Sequence, residues 1–351
     1  MSAFCQNVAV MIHPVIIVGV AGAAALVSCS GPGPRHSGAT TAPMSDGRFI
    51  AGDDLDKSLL DVIEWQLGRE PGPDWETRDV RLTTPGPAPN GTALTVTFVN
   101  HATTLIQMAG QNVLTDPVWS ERVSPVSWTG PRRYAAAGVA FDDLPPIDAV
   151  LVSHNHFDHM DLATLERLAR QHDPVFIVPL ANCHYLAPTG TDHCLELDWW
   201  EAADIGPGLT VRAVPARHWS RRGAWDRNRA LWSGYVLDGP KRVYFAGDTG
   251  AGPHFAEIAR RTGRPDLAML PIGAYLPRWF MSAQHINPAE AVDAHHAMGA
   301  VQTMAVHFGT FRLADDGQDQ PANDLLSSLA DSATDADAFW IPVNGERRGW
   351  R

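Results

Sequence analysis

Residues 153–159 of this chain, Ser-His-Asn-His-Phe-Asp-His, constrain it more than any other segment, because four potential metal ligands fall within six positions. An apolar run at 147–153 leads directly into them and predicts a buried strand, so the ligands stand on the loop that ends it. His154 and His156 alternate and can direct two imidazoles at one ion, while the aspartate and histidine that follow can serve a second ion nearby. We therefore predict a metal centre here rather than a histidine-rich surface loop.

Three further residues of suitable chemistry stand at the ends of other predicted strands. His218 follows the strand predicted at 209–214, and Asp248 follows the strand at 242–246, between glycines that allow close backbone approach. His307 ends another apolar run. A lone histidine in a core strand is more often structural than a ligand. Seven candidates in this order at strand ends nevertheless favour a site for two metal ions.

The rest of the pattern predicts one α/β domain. Strands are predicted at 92–99, 103–108, 112–116, 147–153, 175–178, 209–214, 231–237, 242–246 and 267–272. Helices are predicted at 53–68, from Asp161 onward, and at 253–261, 288–298 and 323–329. Strands that first form a meander and then alternate with helices indicate sheets packed inside and helices outside.

The N-terminal segment differs from this domain. Residues 15–27 are apolar or small throughout, which is short for a membrane span and typical of a signal-peptide core. The run ends in Leu-Val-Ser-Cys at 26–29, which resembles the lipobox of bacterial lipoproteins. This resemblance implies that Cys29 is lipidated and that the chain is exported and anchored to the outer face of the bacterial cell membrane. An uncleaved anchor, or a translation start at Met11, is the alternative.

These features divide the chain into three parts. We predict a signal peptide over 1–29, a flexible tether rich in Gly, Pro, Ser and Thr over 30–52, and the folded domain over 53–351. Two cysteines, Cys183 and Cys194, remain in the folded domain. In an oxidising compartment they could form a disulfide, or they could be two buried thiols that pack as small hydrophobic groups.

The charge of the chain bears on its partners. The formal net charge is −12, whereas proteins that bind nucleic acid carry an excess of Lys and Arg for the phosphate backbone. We therefore predict no nucleic-acid partner. Bound metal ions would reverse the negative charge locally.

The order His-x-His-x-Asp-His, then His, then Asp, then His resembles the signature of the metallo-β-lactamase fold superfamily. The resemblance implies a four-layer αβ/βα sandwich, with two zinc ions between the edges of its two sheets. By this resemblance His154, His156 and His218 would hold one zinc ion, and Asp158, His159 and His307 would hold the other. Asp248 would bridge them.

Further motifs resemble one branch of that superfamily, the hydrolases that act as phospholipases D on N-acyl-phosphatidylethanolamine, together with their bacterial relatives. The matching motifs are FVNHATTLI at 98–106, LTDP at 114–117, LPPIDAV at 144–150, ELDWW at 196–200 and PRWF at 277–280. The resemblance covers about residues 55–307. It implies a membrane phospholipid substrate, release of an N-acylethanolamine and phosphatidic acid, and a homodimer.

The resemblance also assigns roles to residues outside the ligand set. Asp116 would accept the second N–H of a ligand histidine; the alternative is an aspartate that caps the turn before a proline. His285 would lie near the substrate and protonate the leaving group, unless it is an ordinary loop histidine. His101 would support the ligands or be a buried strand histidine. Separately from the resemblance, Trp279 and Phe280 could line an acyl channel or fill a core, and we favour the channel.

The charge balance of such a site favours a phosphodiester. Two Zn²⁺ ions, two carboxylates and one hydroxide leave the centre positive, which suits an anionic substrate better than a neutral amide. Two other functions remain open at this point. One is a related di-metal hydrolase of another ester or of lactones, as in the lactonase-like branch. The other is a lipid-binding lipoprotein without catalytic activity.

Overall fold

The computed structural model describes residues 33–52, 57–70 and 72–351, so the predicted signal peptide lies outside the described residues. The strands are β1 Met44–Ser45, β2 Arg48–Phe49, β3 Leu94–Asn100, β4 Thr103–Met108, β5 Gln111–Thr115, β6 Ala149–Leu151, β7 Val175–Pro179, β8 Cys194–Leu197, β9 Ala202–Gly206, β10 Leu209–Val214, β11 Gly234–Asp238, β12 Arg242–Phe245, β13 Leu267–Pro271, β14 Gln302–Val306, β15 Phe339–Trp340 and β16 Arg347–Trp350. The helices are α1 Leu59–Leu67, α2 Leu162–His172, α3 Cys183–Leu186, α4 His254–Thr262, α5 Arg278–Met281, α6 Pro288–Met298 and α7 Gln320–Asp331.

Two mixed sheets of seven strands form the centre of the domain. The first has the order β16-β3-β4-β5-β6-β7-β8, and the second has the order β15-β14-β13-β12-β11-β10-β9. Their facing surfaces enclose one apolar core, which includes Ile106, Val211 and Phe245. Outer cores join the second sheet to α4, α6 and α7, and the first sheet to α2. This arrangement confirms the predicted four-layer αβ/βα sandwich.

Strand directions bring the predicted ligands to one edge of the sandwich. In the first sheet β3 runs antiparallel to β4, and β4 antiparallel to β5, while β5 and β6 are parallel, so β3, β5 and β6 end at the same edge. In the second sheet β10, β12 and β14 share one direction in the same way. The loops that follow these six strands carry all the predicted metal ligands.

The strand predicted at 231–237 begins three residues later, at Gly234. Leu231 instead donates its backbone N–H to Leu180, and Ser233 donates to Ser153, so these residues bond to loops of the first sheet. Trp232 is buried between them and donates its indole N–H to the carbonyl of Ala216. The predicted start of this strand was wrong, because an apolar run in the sequence does not show whether its backbone pairs within the second sheet or bonds to loops of the first.

The segment predicted as a flexible tether is packed on the domain where the structure describes it. Ala42 and Phe49 are buried in a small core with Leu231 and Trp232. The backbone N–H groups of residues 41 and 42 and the hydroxyl of residue 40 donate to the carboxylate of Asp198. The composition of this segment, rich in small residues and prolines, is typical of a linker and does not reveal that its N–H groups satisfy a buried carboxylate.

Two other features follow from local sequence. Helix α1 begins after Ser58, whose side chain accepts from the N–H of Asp61 while Asp61 accepts from the N–H of Ser58. Cys183 and Cys194 form a disulfide between α3 and β8, which resolves the two alternatives for these cysteines.

Of the described residues, none belongs to a helix with the length and apolar character needed to cross a bilayer.

Candidate metal centre

The first cluster consists of three histidines from both sheets. His154 Nε2 lies 2.9 Å from His156 Nδ1, and His218 Nε2 lies 3.2 Å from the same nitrogen. The Nδ1 atom of His218 faces the carbonyl of Gln284 at 3.1 Å, so its proton is placed there and its Nε2 carries a lone pair. Three ring nitrogens therefore converge, and the one on His218 carries a lone pair. This arrangement can bind a cation between the three rings.

The second cluster joins the end of the motif to the loop after β14. His159 Nε2 and His307 Nε2 each lie 3.3 Å from Asp158 Oδ2. His101 belongs to the same group, since its Nε2 is 3.1 Å from Asp158 Oδ2. The sequence left His101 undecided between a supporting and a purely structural position, and the structure places it among the atoms that could hold an ion.

Asp248 lies between the two clusters. Its Oδ1 is 3.3 Å from His307 Nε2, and its Oδ2 is 3.2 Å from His159 Nε2 and 3.9 Å from His218 Nε2. One carboxylate therefore reaches donors of both groups, which is the position that the sequence predicted for a bridging ligand.

The donor atoms fit bound metal ions. Ligands about 2.0–2.1 Å from a tetrahedral ion lie roughly 3.3–3.4 Å apart, and the distances from His159 and His307 to Asp158 and from His307 to Asp248 are each 3.3 Å. His159 Nε2 and Asp248 Oδ1 are buried and lack a hydrogen-bond partner. Such groups are costly unless a partner satisfies them, and a metal ion would do so.

The electrostatics also favour a cation. Burial lowers the pKa of His156 to about 4 and holds those of His154 and His218 well below their usual value, so these imidazoles are neutral and available as ligands. Burial alone would lower the pKa of His159, but Asp248, Asp158 and Asp116 together raise it well above its usual range. Three carboxylates therefore surround His159, and this concentration of negative charge favours a cation at the centre.

Asp116 and Ser153 orient one histidine of each cluster. Asp116 Oδ2 accepts from His159 Nδ1 at 2.6 Å and from the Ser153 hydroxyl at 2.6 Å, and Ser153 Oγ lies 2.9 Å from His154 Nδ1. Since the serine proton goes to Asp116, His154 donates to Ser153, and its Nε2 is left free for an ion. The structure thus places Asp116 where the sequence predicted it, whereas the sequence analysis missed Ser153.

His285 lies beside Asp248 and the ring of His218. Its Nδ1 is 3.8 Å from Asp248 Oδ2, and its ring centroid is 5.3 Å from that of His218. Burial lowers its pKa to about 4, against the opposing effect of Asp248. The residue is therefore neutral at pH 7 in the absence of substrate, and an anionic phosphodiester beside it would raise the pKa again.

Phe280 and Trp279, the two aromatic residues predicted to line an acyl channel, lie in different environments. Phe280 is buried and stacks on Trp65 at 4.9 Å, so it joins a small core rather than a channel. Trp279 is 48% exposed. Trp219 packs its ring 4.4 Å from that of His156 and lies beside the first cluster. The PRWF motif did not distinguish these positions, because adjacent residues in a short helix point to different sides.

Comparison with known proteins agrees with this geometry. A model of the β-lactamase superfamily domain matches residues 111–308. The N-acyl-phosphatidylethanolamine-hydrolyzing phospholipase D 1 of Caenorhabditis elegans is 36% identical over 263 residues, which are 72% of this chain and 74% of that protein. An uncharacterized protein of Mycobacterium tuberculosis is 37% identical over 314 residues, which are 86% of this chain and 82% of that protein.

Solved structures show the same fold. The isothiocyanate hydrolase from Delia radicum gut bacteria has a TM-score of 0.58 at 20% identity, over 72% of this chain and 98% of that one. A diiron β-hydroxylase from Streptomyces venezuelae has a TM-score of 0.55 at 22% identity, over 76% of this chain and 55% of that one.

The two His/Asp clusters at the strand ends, together with these matches, define the class: the chain belongs to the metallo-β-lactamase superfamily and is a metal-dependent hydrolase. Within the superfamily it falls in the branch of the N-acyl-phosphatidylethanolamine-hydrolysing phospholipases D.

Proposed function

We propose that this hydrolase is a zinc-dependent phosphodiesterase of the phospholipase D type, which cleaves N-acyl-phosphatidylethanolamine-like lipids into an N-acylethanolamine and phosphatidic acid. The observation that carries the proposal is the position of Asp248 between two donor clusters, in a chain 36% identical to a phospholipase D of this specificity. Two metal ions side by side suit a phosphodiester, because they can neutralise both the attacking and the departing oxygen.

The predicted ligands would be divided between the two ions. His154, His156 and His218 would hold one ion, Asp158, His159 and His307 the other, and Asp248 both. When bound, the ions supply a water molecule that is nucleophilic near neutral pH and positive charge for the reacting phosphate.

In the reaction, an oxygen from water adds to phosphorus, and the bond from phosphorus to the ethanolamide oxygen breaks. The departing oxygen takes up a proton, which in this proposal comes from His285, whose Nδ1 lies 3.8 Å from Asp248 Oδ2. Asp116 and Ser153 keep the ligand imidazoles in one orientation throughout.

Zinc is the metal that the donor set favours in our proposal. Imidazole and carboxylate ligands at tetrahedral spacing suit Zn²⁺, although they also bind iron and manganese.

A panel of three substrates tests the proposal. Purified protein loaded with zinc is incubated with N-acyl-phosphatidylethanolamine, with a simple phosphodiester and with a lactone, and the products are identified by mass spectrometry. We expect N-acylethanolamine and phosphatidic acid from the first, slow cleavage of the second and no opening of the third. Faster opening of the lactone would contradict the proposal and favour the lactonase-like alternative.

His285 gives a prediction that depends on the leaving group. For the poor ethanolamide leaving group, His285→Ala is expected to lower kcat by about 10²–10⁴, because the histidines of the predicted ligand set would be committed to the ions. A nitrophenolate leaves without a proton, so a nitrophenyl diester should be cleaved almost as fast by the variant as by the wild type. Metal content, measured in parallel, should not change. Loss of a metal equivalent would instead show that His285 is a ligand.

We further propose that the protein is exported and anchored by lipid at Cys29 to the outer face of the cell membrane, where its phospholipid substrate lies. The resemblance of residues 26–29 to a lipobox supports this proposal. Expressed with its own N-terminus in a bacterium, the protein should fractionate with membranes and carry lipid at Cys29. Cys29→Ala should abolish lipidation and processing. An unmodified N-terminus at Met1 or Met11 would overturn the assignment.

A further inference from the structure

We propose that this protein docks on an anionic phospholipid membrane through two surface segments that flank the metal centre, so that the centre faces the bilayer. The proposal extends the proposed function, since it concerns how the same site meets a membrane lipid. The basic flank consists of Arg35, Arg48, Arg221, Trp225 and Arg227. The apolar flank consists of Leu60, Ile63, Leu67 and Trp279.

The basic flank adjoins the first cluster through the loop at 219–229. Trp219 packs on His156 at 4.4 Å, and the next arginine, Arg221, donates its backbone N–H to Asn155 of the ligand motif at 2.9 Å. Arg222 donates to the carbonyls of Asn155 and Met160 at 3.0 and 2.8 Å. This loop is therefore fixed to the residues that carry the metal ligands.

The N-terminal segment is fixed to the same loop. The N–H of Phe49 donates to Asn228, and the guanidinium of Arg48 donates to the carbonyls of Trp225 and Arg227. Gly33 lies so close to Asp226 that an added Cβ would meet that side chain at 2.5 Å. Four residues extend from Cys29 to this point, a span of at most about 14 Å. A lipid at Cys29 would hold this face of the domain near the bilayer.

The charge of this flank is opposite to that of the chain. The four arginines of this flank, Arg35, Arg48, Arg221 and Arg227, lie with one exposed aspartate, at 46, which leaves 4 − 1 = +3 in a chain of net −12. Asp226 is buried and Asp46 is exposed at the β1–β2 turn. Trp225 is 59% exposed among these arginines. Arginine with exposed tryptophan is the composition of a surface that meets anionic headgroups.

The apolar flank adjoins the other side of the centre. Trp65 of α1 stacks on Phe280, and Lys57 donates to the carbonyl of Trp279 at 3.2 Å. Helix α5 leads within a few residues to His285, whose N–H donates to Met281. Helix α1 is thus joined to the loop that carries the site histidine.

The exposed surface of α1 carries an apolar stripe, beside which Glu64 and Gln66 are also exposed. Leu60 and Leu67 are 75% and 79% exposed, and Ile63 lies on the same helical stripe, opposite the packed face of Val62 and Trp65. A helix with one apolar face against the domain and a second toward solvent can place the second in the headgroup region of a membrane.

Hydrogen exchange of the full-length protein shows which surface contacts the membrane, whether or not Cys29 carries a lipid. The protein is mixed with vesicles of phosphatidylcholine alone, or with 30% phosphatidylglycerol (about one anionic lipid in three), and neither contains an N-acyl lipid. We expect exchange to slow at residues 58–67 and 221–228 on the anionic vesicles, much less on the neutral ones, and not in α2. Slowing in α2 equal to that of the flanks, or no slowing at either flank, would overturn the proposal.

Matched variants give the second readout. Leu60→Ser with Leu67→Ser, and separately Arg35→Glu with Trp225→Ser, should each lower the rate on vesicle-embedded substrate at least about tenfold. Their rates on a soluble nitrophenyl diester should stay unchanged, which separates docking from the proposed chemistry. The controls Val301→Ser and Arg170→Glu alter exposed residues toward the opposite edge and should change neither rate. Equal loss in the controls, or full vesicle activity in both flank variants, would refute the docked face.

Discussion

Asp248→Asn is expected to lower kcat/KM on the lipid substrate by about 10³-fold or more and to lower metal content at both positions. The reason is geometric. In the second cluster, Oδ1 lies 3.3 Å from His307 Nε2 and Oδ2 lies 3.2 Å from His159 Nε2, and Oδ2 also lies 3.9 Å from His218 Nε2 in the first cluster. An asparagine keeps the shape but removes the charge and one acceptor, so neither ion is held as before. Kinetics on the three-substrate panel and metal analysis of the same samples measure both effects.

Two variants control for this result. Asp116→Asn removes a carboxylate that orients His159 and, through Ser153, His154, and such outer partners typically contribute about 10–100-fold. Asp198→Asn alters a buried aspartate that binds backbone N–H groups away from the centre, and it should leave kcat unchanged. If Asp116→Asn cost as much as Asp248→Asn, Asp116 would bind the metal or the substrate itself.

Each donor cluster is expected to hold one metal ion, and single replacements should remove them separately. His156→Ala touches only the first cluster, and His307→Asn touches only the second; asparagine is chosen because His307 has a φ of 61°, which alanine tolerates poorly. Wild-type protein should bind about two zinc ions and each variant about one, with kcat lowered by about 10³-fold, since one ion cannot neutralise both reacting oxygens. Elemental analysis after zinc reconstitution measures the content. Less than half an equivalent in the wild type would contradict the metal centre.

Much of the site could be predicted because its ligands stand at strand ends. An apolar run followed by His or Asp is visible in the sequence, and in a layered sandwich the strand direction brings those ends together. The seven predicted ligands, Asp116 and His285 all lie within this one cluster of groups. The role of each toward a bound ion remains the prediction that the variants above test.

Other features depend on contacts that no local pattern reveals. Ser153 looks like an ordinary end of a strand, and only its distances of 2.6 and 2.9 Å to Asp116 and His154 show that it links them. Strand β16 has the sequence Arg-Arg-Gly-Trp, without apolar alternation, because it is an edge strand held by backbone pairing with β3. The packing of Phe49 on the domain was hidden in the same way by a linker-like composition.

The fate of one oxygen atom tests the central claim most directly. Zinc-loaded protein is incubated with N-acyl-phosphatidylethanolamine in ¹⁸O-labelled water, and both products are analysed by mass spectrometry. If water attacks phosphorus and the ethanolamide oxygen departs, the label appears in phosphatidic acid and is absent from the N-acylethanolamine. Label in the N-acylethanolamine, or release of a free fatty acid carrying it, would show that a different bond is cleaved and would contradict the phosphodiesterase assignment.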